Sequence, residues 1–266
     1  MPRPLSGNQL DKLGKRLAQS QTISDEDYEL LRSVAEAYQT VTDSVQGRLQ
    51  ALGFEPTTRG FKSTGTLVDK LRRTHLSLKD IQDLAGARIV IDGDRSAQDR
   101  AVDRIMQAFH DCPKPPVAID RRERPSHGYR AVHVIVFVDS TPMEIQVRTK
   151  LQDTWAQISE KLGDIWGRGL RYGQGPDLPD SLVVLGSPTT RRTVVEQLTT
   201  LAEVIDGTET NEVSLAELRE ELLGSADEDV AQRLAILTER VAESKNQLQG
   251  ALDRLLQEIG QLGGAT

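Results

Sequence analysis

The chain has 266 residues, a mass of 29.4 kDa and a formal net charge of −7. This length predicts one or two domains with a sizeable core. The sequence has no run of about 18 apolar residues and no apolar stretch behind residues 1–6, so we expect neither a membrane span nor a secretory signal peptide. Its single cysteine, Cys112, excludes a disulfide framework and a cysteine-based zinc site. We therefore expect a cytoplasmic protein without membrane contact.

The acidic charge is concentrated in the C-terminal quarter. Residues 201–266 carry 14 Asp and Glu against 5 Lys and Arg, whereas residues 1–200 have a small net positive charge. Residues 59–90 hold seven bases and three acids. This local basic excess suits an anionic ligand such as phosphate, although a solvated basic helix face would have the same composition.

In chain order, the first strong pattern is a helix over residues 24–52. Ser24 and the three acids after it form an N-terminal capping signal, apolar residues then recur at helical spacing, and Gly53 is a plausible stop. Residues 66–73 and 97–109 also have helical periodicity. The proline-rich residues 112–116 predict an irregular or extended stretch.

Between these helices the pattern changes to strands. Residues 87–91 are a short β-rich run, and residues 131–138 are a strand that is apolar on both faces. Residues 139–142 predict a turn and residues 143–147 a returning strand. Thr149 then leads into a helix that we expect to end near Lys161. Strands alternating with helices indicate an α/β or α+β core.

The C-terminal part is predicted to be helical from about residue 187, after a glycine-rich loop or linker over residues 163–179. A heptad pattern starts near Val230, and its main position is occupied by Leu234, Val241, Leu248, Leu255 and Leu262. Two interpretations have equal weight. The helix packs on its own domain, or it forms a contact between subunits.

Several segments carry candidate chemistry. Lys62 and Lys70 are eight residues apart, and a largely helical segment would place both ammonium groups on one side, as a polyphosphate requires. Asp83 lies among bases and small residues, where it would hold Mg²⁺ against a phosphate chain or serve as a helix cap or ion-pair partner. Phosphate-binding glycine motifs of the GxxxxGK and GxGxxG types do not occur in the sequence.

The returning strand has polar residues at every second position. Glu144, Gln146 and Arg148 alternate with apolar residues, so they share one face of the strand. On an ordinary amphipathic strand this face would be exposed to solvent. Because the preceding strand is apolar on both faces and therefore central, a neighbouring strand would instead present these groups to a cleft.

Together these blocks resemble a known family. Lys62 to Lys70, Asp83-Leu-Ala-Gly-Ala-Arg88, Gly128-Tyr-Arg-Ala-Val-His133 and Glu144-Ile-Gln-Val-Arg-Thr149 resemble the synthetase domain of RelA/SpoT-type alarmone synthetases in order and spacing. The resemblance covers about residues 56–165 and is closest to the small, synthetase-only members. It implies an α+β fold with a nucleotidyltransferase-like mixed sheet flanked by helices. The helical extensions would span residues 1–55 and 183–266 around a synthetase domain at 56–182.

The resemblance also implies an activity, which is transfer of the β,γ-pyrophosphate of ATP to the ribose 3′-hydroxyl of GDP or GTP, without hydrolase activity. On the ATP side of the site, the resemblance implies residues that hold a metal ion, act as the base or bind the phosphates. Asp83 would hold Mg²⁺, with Glu144 sharing the metal or acting as base, and Gln146 would orient the hydroxyl. The implied ATP-binding residues are Arg59, Lys62, Thr66, Lys70 and Arg88.

On the acceptor side, Tyr129 would stack on the base and His133 would contact phosphates. Asp153 stands where small members often carry an asparagine that contacts guanine, and a carboxylate there would accept from the guanine edge. Arginines of the preceding loop would replace a lysine of the family pattern. The implied acceptor-binding residues are Arg121, Arg124, His127, Tyr129, His133, Arg148 and Asp153, with Arg122 as an alternative to its two neighbours.

Two other functions stay open. Some small relatives are toxins that modify adenine nucleotides or the 3′ end of tRNA, and such a chain would have a neutralising antitoxin partner. The small net charge of residues 1–200 argues weakly against a tRNA acceptor, which needs an extended basic surface. The third reading is a nucleotide sensor without catalysis. The terminal helices resemble those that small synthetases use to build homo-oligomers.

Overall fold

A computed structural model provides the coordinates. It describes residues 5–175, 182–185, 187–222 and 228–262. Contacts within the chain divide it into two compact units. The first unit comprises Met1–Ile89, Ala101–Ile119 and His133–Val147, and the second comprises Val90–Arg100, Asp120–Val132 and Arg148–Thr266. This division does not test the three predicted sequence segments, which stay a prediction.

The first unit begins with helices α1 (Gly7–Gln19) and α2 (Asp25–Ala51). The Ser24 hydroxyl accepts a hydrogen bond from the Asp27 amide at 3.2 Å, and Gly53, at φ +80°, follows the last turn of α2. The helix predicted over residues 24–52 is therefore confirmed. Its apolar face joins α1 and α3 (Thr64–Thr74) in one buried cluster.

The chain also forms a five-stranded sheet. The spatial order is β1-β2-β5-β4-β3, and β1 pairs antiparallel to β2 with Thr58 opposite Ala87. The predicted α+β class with a mixed sheet and flanking helices is confirmed. The strands are β1 (Thr57–Arg59), β2 (Gly86–Ile91), β3 (Val117–Asp120), β4 (Val132–Val138) and β5 (Thr141–Thr149), with helix α4 (Arg95–Ala108) after β2.

Strands β4 and β5 have the predicted places. Every residue of β4 is buried except the half-buried His133, and β5 is its neighbour in the sheet. The predicted four-residue turn is too long, because Thr141 and Pro142 belong to β5. The chain reverses over Asp139 and Ser140 alone, at φ +48° and +64°. Two consecutive left-handed residues match the twist of a tight hairpin.

The second unit is mainly helical. It contains α5 (Lys150–Trp166), α6 (Arg191–Leu222), α7 (Glu228–Leu262) and a hairpin of β6 (Leu182–Leu185) and β7 (Ser187–Thr190).

Two predictions for this region are wrong in part. The loop expected from residue 163 is helical as far as Trp166, and Arg168–Tyr172 form a further short helical turn. Burial of Leu162, Trp166 and Leu170 in one apolar cluster outweighs the glycines. Residues 173–175 are not helical, as predicted, and residues 176–179 of that loop lie outside the described residues. The helix expected from residue 187 begins at Arg191, because residues 187–190 pair as β7.

Three of the five main heptad positions predicted for α7, Leu248, Leu255 and Leu262, pack within the unit, but the α7 residues most deeply buried there lie outside the predicted positions. Leu252 and Ile259 are fully buried with α5 and α6 side chains, and Leu248 and Leu255 pack against the same cluster. The structure thus favours packing on the helix's own domain for this half of α7. Homo-oligomerisation through the terminal helices stays a prediction. Among the helices described here, none is both long and apolar enough to cross a bilayer.

Candidate active site

Asp83 lies between two lysines in the first unit. Its two carboxylate oxygens accept hydrogen bonds from Lys62 Nζ and Lys70 Nζ, each at 2.5 Å. The predicted placement of both ammonium groups on one side is confirmed. The Lys62 side chain is only 8% exposed and that of Asp83 25%, so this ion pair is largely withdrawn from solvent.

Local structure explains this convergence. Ser63 caps α3 by accepting from the Thr66 amide at 3.4 Å, which starts the helix that carries Lys70. The Lys62 amide donates to the Leu84 carbonyl at 2.8 Å, so the segment before α3 is tied to the segment that carries Asp83. Lys62 and Lys70 therefore reach the same carboxylate from a loop and a helix.

The cluster shifts the protonation equilibria of its members. Burial alone would raise the pKa of Asp83, but Lys62 and Lys70 outweigh burial and lower this pKa to about 2. Burial lowers the pKa of Lys62, and the attraction of Asp83 offsets this only in part. Asp83 is consequently an anion at neutral pH, held by two cations that a phosphate chain would also attract.

The other residues predicted to bind ATP are near this cluster in sequence or space. Arg59 Nη2 donates to the Asp83 backbone carbonyl at 3.1 Å from the end of β1. Thr66 lies in the first turn of α3, where its hydroxyl accepts from Ser63 at 2.9 Å. Arg88 is half-buried on β2, opposite Thr57. The structure thus brings Arg59 to Asp83 and gives Thr66 a role at the helix start.

Glu144 lies on the polar face of β5 with two partners. Its Oε1 is 2.9 Å from His133 Nδ1, and its Oε2 accepts from Gln146 Nε2 at 2.7 Å. The neighbouring positions Ile145 and Val147 are fully buried on the other face. The predicted alternation is confirmed for Glu144 and Gln146, which are half-buried. The pairing of Glu144 with His133 was not predicted.

Glu144 also interacts with the charge of Asp83. Burial would raise the pKa of Glu144, His133 and Gln146 lower it by more, and Asp83 raises it again by repulsion. The net effect is a lowered pKa, so both carboxylates are ionised at neutral pH and repel each other. A cation between them would remove this repulsion.

Asp83 and Glu144 are the carboxylates here whose oxygens suit Mg²⁺. Oxygen donors from one or two carboxylates, completed by phosphate and water, are the usual magnesium ligands in nucleotide enzymes. Asp83 and Glu144 supply such donors. Within the described part of the chain, no group of three or more His, Cys, Asp and Glu residues is arranged for a metal. The two carboxylates therefore fit Mg²⁺ that arrives with phosphates.

A second cluster lies in the second unit, around Tyr129. The Arg148 guanidinium carbon is 5.2 Å from the centre of the Tyr129 ring, and Arg148 Nη2 donates to the tyrosine hydroxyl at 3.2 Å. Arg148 Nη1 donates to Asp153 Oδ1 at 3.0 Å, and Asp153 Oδ2 accepts from Gln157 at 2.7 Å. Burial lowers the pKa of Arg148, but Tyr129 and Asp153 raise it by more.

This arrangement differs from two sequence-based expectations. Arg148 was predicted to share an accessible face with Glu144, yet its side chain is 2% exposed. Asp153 was predicted to contact guanine, yet it is buried and both of its oxygens accept hydrogen bonds from the protein. Asp153 is thus placed to hold Arg148, and Arg148 to hold Tyr129.

The loop before Tyr129 carries the other residues predicted to bind the acceptor. Arg122 forms ion pairs with Asp120 and Asp99, both at 2.6 Å. Arg121 is half-buried, whereas Arg124 and His127 are exposed. Of the three arginines, Arg122 is thus already held by two carboxylates, and the acceptor-binding role of Arg121 and Arg124 stays a prediction.

Comparison with known proteins agrees with the motifs. Residues 59–163 match the family model described as the region found in RelA / SpoT proteins. This match confirms the resemblance drawn from the sequence for this part of the chain, and residues 59–163 are called the RelA/SpoT-type region below. The two clusters described above lie almost wholly within it.

Curated relatives and solved structures were also compared. The chain is 41% identical over 138 residues to the uncharacterized protein Rv1366 of Mycobacterium tuberculosis, covering 52% of this chain and 50% of that protein. An uncharacterized protein of Mycobacterium bovis, Mb1401, matches with the same values. The chain thus spans about half the length of the curated relatives it matches.

Among solved structures, the small alarmone synthetase 1 from Bacillus subtilis has a TM-score of 0.49 and 19% identity, covering 76% of this chain and 100% of that one. A GTP pyrophosphokinase family protein from Streptococcus pneumoniae has a TM-score of 0.47 and 20% identity, covering 80% and 98%.

Proposed function

We propose that this protein is a pyrophosphokinase that transfers the β,γ-pyrophosphate of ATP to the ribose 3′-hydroxyl of GDP or GTP. The observation that carries the proposal is the cluster of Asp83 with Lys62 and Lys70, within electrostatic range of Glu144. Two carboxylates and two ammonium groups offer sites for a divalent cation and for the phosphates it accompanies. The RelA/SpoT-type region around them supports this choice of reaction.

The donor side would be organised by charge. Lys62 and Lys70 compensate the charge of Asp83, and both ammonium groups would contact the phosphate oxygens of bound ATP. Asp83 would hold Mg²⁺, and the metal would neutralise the charge of the triphosphate and leave its β-phosphorus open to attack. Arg88, together with Arg59, whose guanidinium lies beside the Asp83 carbonyl, would flank the adenine by stacking, because a guanidinium is planar.

In the transfer step, the acceptor's 3′ oxygen forms a bond to the β-phosphorus of ATP. The bond between this phosphorus and the oxygen bridging to the α-phosphorus breaks, and AMP leaves with that oxygen. The hydroxyl proton passes to the Glu144 carboxylate, whose partner His133 stabilises the ionised state that receives it. Gln146, bonded to the same carboxylate, would orient the hydroxyl. Such transfer depends mainly on positioning and charge neutralisation.

The acceptor side would be organised by stacking. Tyr129, held by Arg148 at its hydroxyl, offers its ring to a base. His133, Arg121, Arg124 and His127 would contact acceptor phosphates. Because both Asp153 oxygens are occupied, we propose that Asp153 acts through Arg148 and that guanine is selected by other groups.

A transfer assay tests the proposal. Purified protein is incubated with γ-labelled ATP and Mg²⁺, with GDP, GTP, ADP, AMP or deacylated tRNA offered in parallel, and the Asp83→Asn variant serves as control. We expect label on GDP or GTP only. Label on adenine nucleotides or tRNA would indicate the toxin-type alternative and a search for a neutralising partner. Absence of label with nucleotide binding retained would favour a sensor and refute the proposal.

A further inference from the structure

Helix α6 lies entirely outside the RelA/SpoT-type region, yet one side of it contacts both segments that carry the Tyr129–Arg148 pair. The contacts come from Ala202, Asp206 and Glu209, which are spaced by four and three residues. This spacing places them on one face of the helix. All of these contacts lie within the second unit.

The first contact holds the loop that presents Tyr129. Gly128 has φ +89°, and a Cβ there would lie 2.8 Å from the Trp155 ring and 3.0 Å from the Ala202 Cβ, so only glycine allows this close packing on α6. Arg130 Nη1 donates to the Ala202 carbonyl at 3.2 Å, and Arg130 Nε is 3.1 Å from Asp206 Oδ1. Residues on both sides of Tyr129 are therefore fixed to α6.

The second contact holds the junction between β5 and α5. Glu209 is fully buried, its Oε1 accepts from the Thr149 hydroxyl, and its Oε2 accepts from Gln152 Nε2 at 2.8 Å and from Arg95 Nε at 3.0 Å. Thr149 is the N-cap of α5, and Gln152 completes a capping box with it. Glu209 therefore fixes the cap of α5 from outside the helix.

This cap determines where Arg148 points. Arg148 immediately precedes Thr149, and its partner Asp153 lies in the first turn of α5. A shift of the cap would move both members of this ion pair and so release the Tyr129 hydroxyl. Burying an ion pair seldom stabilises a fold more than well-packed apolar side chains would. A directional role explains the buried carboxylate better than a contribution to stability does.

We propose that α6 is a positioning element for the acceptor nucleotide, with Glu209 and Asp206 holding Arg148 and Tyr129 in the orientation that binds its base. The inference rests on the proposed function and extends it beyond the family region. Asp206 and Glu209 are joined by Arg95, which forms ion pairs with both carboxylates. Neither carboxylate is assigned a contact with substrate.

Steady-state kinetics of Glu209→Gln tests this proposal. The amide keeps the size of the side chain but loses the charge that Arg95, Thr149 and Gln152 share. We expect the KM for GDP to rise about tenfold while the KM for ATP stays within twofold of wild type. The matched control is Glu212→Gln, on the same helix, which removes an ion pair of 2.7 Å with Lys245 and should leave both KM values unchanged.

A structural role alone would lower the amount of active protein and leave both KM values as they are. Asp206→Asn, at a side chain that is 34% exposed, is a second variant with less risk to folding, and its KM for GDP should rise three- to tenfold. If the KM for GDP stays within twofold of wild type in the folded variants, the proposal is overturned.

Hydrogen exchange separates this proposal from the proposed function. Without nucleotide, Glu209→Gln should speed amide exchange in the first turn of α5, whereas Glu212→Gln should not. If wild type transfers pyrophosphate to no acceptor, the proposed function fails, and exchange still decides whether Glu209 fixes the cap. Unchanged exchange in that turn would overturn the positioning role.

Discussion

Replacing Asp83 by Asn tests the charge cluster on which the donor site depends. The fall in the pKa of Asp83 from 3.8 to about 2 corresponds to about 2 kcal/mol of stabilisation of the folded state at neutral pH. The amide would remove this stabilisation and leave the buried Lys62 ammonium beside Lys70 without the anion between them. Domains generally have a free energy of unfolding of roughly 5–15 kcal/mol, so we expect the variant to fold. Its free energy of unfolding should be about 2 kcal/mol lower than that of wild type.

Urea unfolding at several pH values measures this difference. Because the folded pKa is below the unfolded one, the contribution of Asp83 is complete above about pH 4 and is lost as pH falls through 2. The gap between wild type and Asp83→Asn should therefore be constant near neutral pH and close in acid. The matched control is Asp80→Asn, at an exposed position of the same segment, which should cost about 0.5 kcal/mol or less.

Pyrophosphate transfer by Asp83→Asn should fall by at least about a hundredfold, since Mg²⁺ would lose the carboxylate proposed to hold it. Equal unfolding free energies of variant and wild type at pH 7, or a difference between them that grows in acid, would show that Lys62 and Lys70 do not stabilise ionised Asp83. Transfer at a near-normal rate would refute the assignment of Asp83 to the metal.

Three further predictions concern the base, the stacking residue and one helix cap. Glu144→Gln should lower kcat by at least about a hundredfold with ATP binding retained, and kcat of wild type should fall as acid protonates Glu144; normal turnover would contradict its role as base. Tyr129→Phe keeps the ring but loses the hydrogen bond from Arg148, so the KM for GDP should rise about fivefold, against a much larger rise for Tyr129→Ala; equal effects would contradict stacking. Ser24→Ala should destabilise the protein by about 1 kcal/mol in urea unfolding, through loss of the bond to Asp27, without a change in KM.

Local patterns were sufficient for much of the fold. The capping residues and period of α2, and the apolar run of β4, depend on neighbours in sequence, and both elements are where they were expected. The continuation of α5 to Trp166 and the hairpin before α6 were missed. These features depend on burial of distant apolar side chains and on strand pairing, neither of which local periodicity records.

The candidate site, like the fold, could be predicted only in part. The spacing of Lys62 and Lys70 anticipated their shared side. The contact of His133 with Glu144 was missed, because it depends on how two neighbouring strands are aligned, and the predicted turn between them was two residues too long. The burial of Asp153 could not be predicted, because the sequence does not show whether this carboxylate binds a guanine or the side chain of Arg148. Glu209 gave no signal, since it contacts residues 57 and 60 positions away in the chain.

The central claim is that the β-phosphorus of ATP is the atom attacked. Wild-type protein, ATP, Mg²⁺ and GDP are mixed, and the products are quantified by mass spectrometry over one time course. We expect AMP and a guanosine product heavier by two phosphoryl groups in equal amounts, with Glu144→Gln forming neither. Formation of ADP with a product heavier by one phosphoryl group, or of AMP and free pyrophosphate without modified GDP, would contradict it.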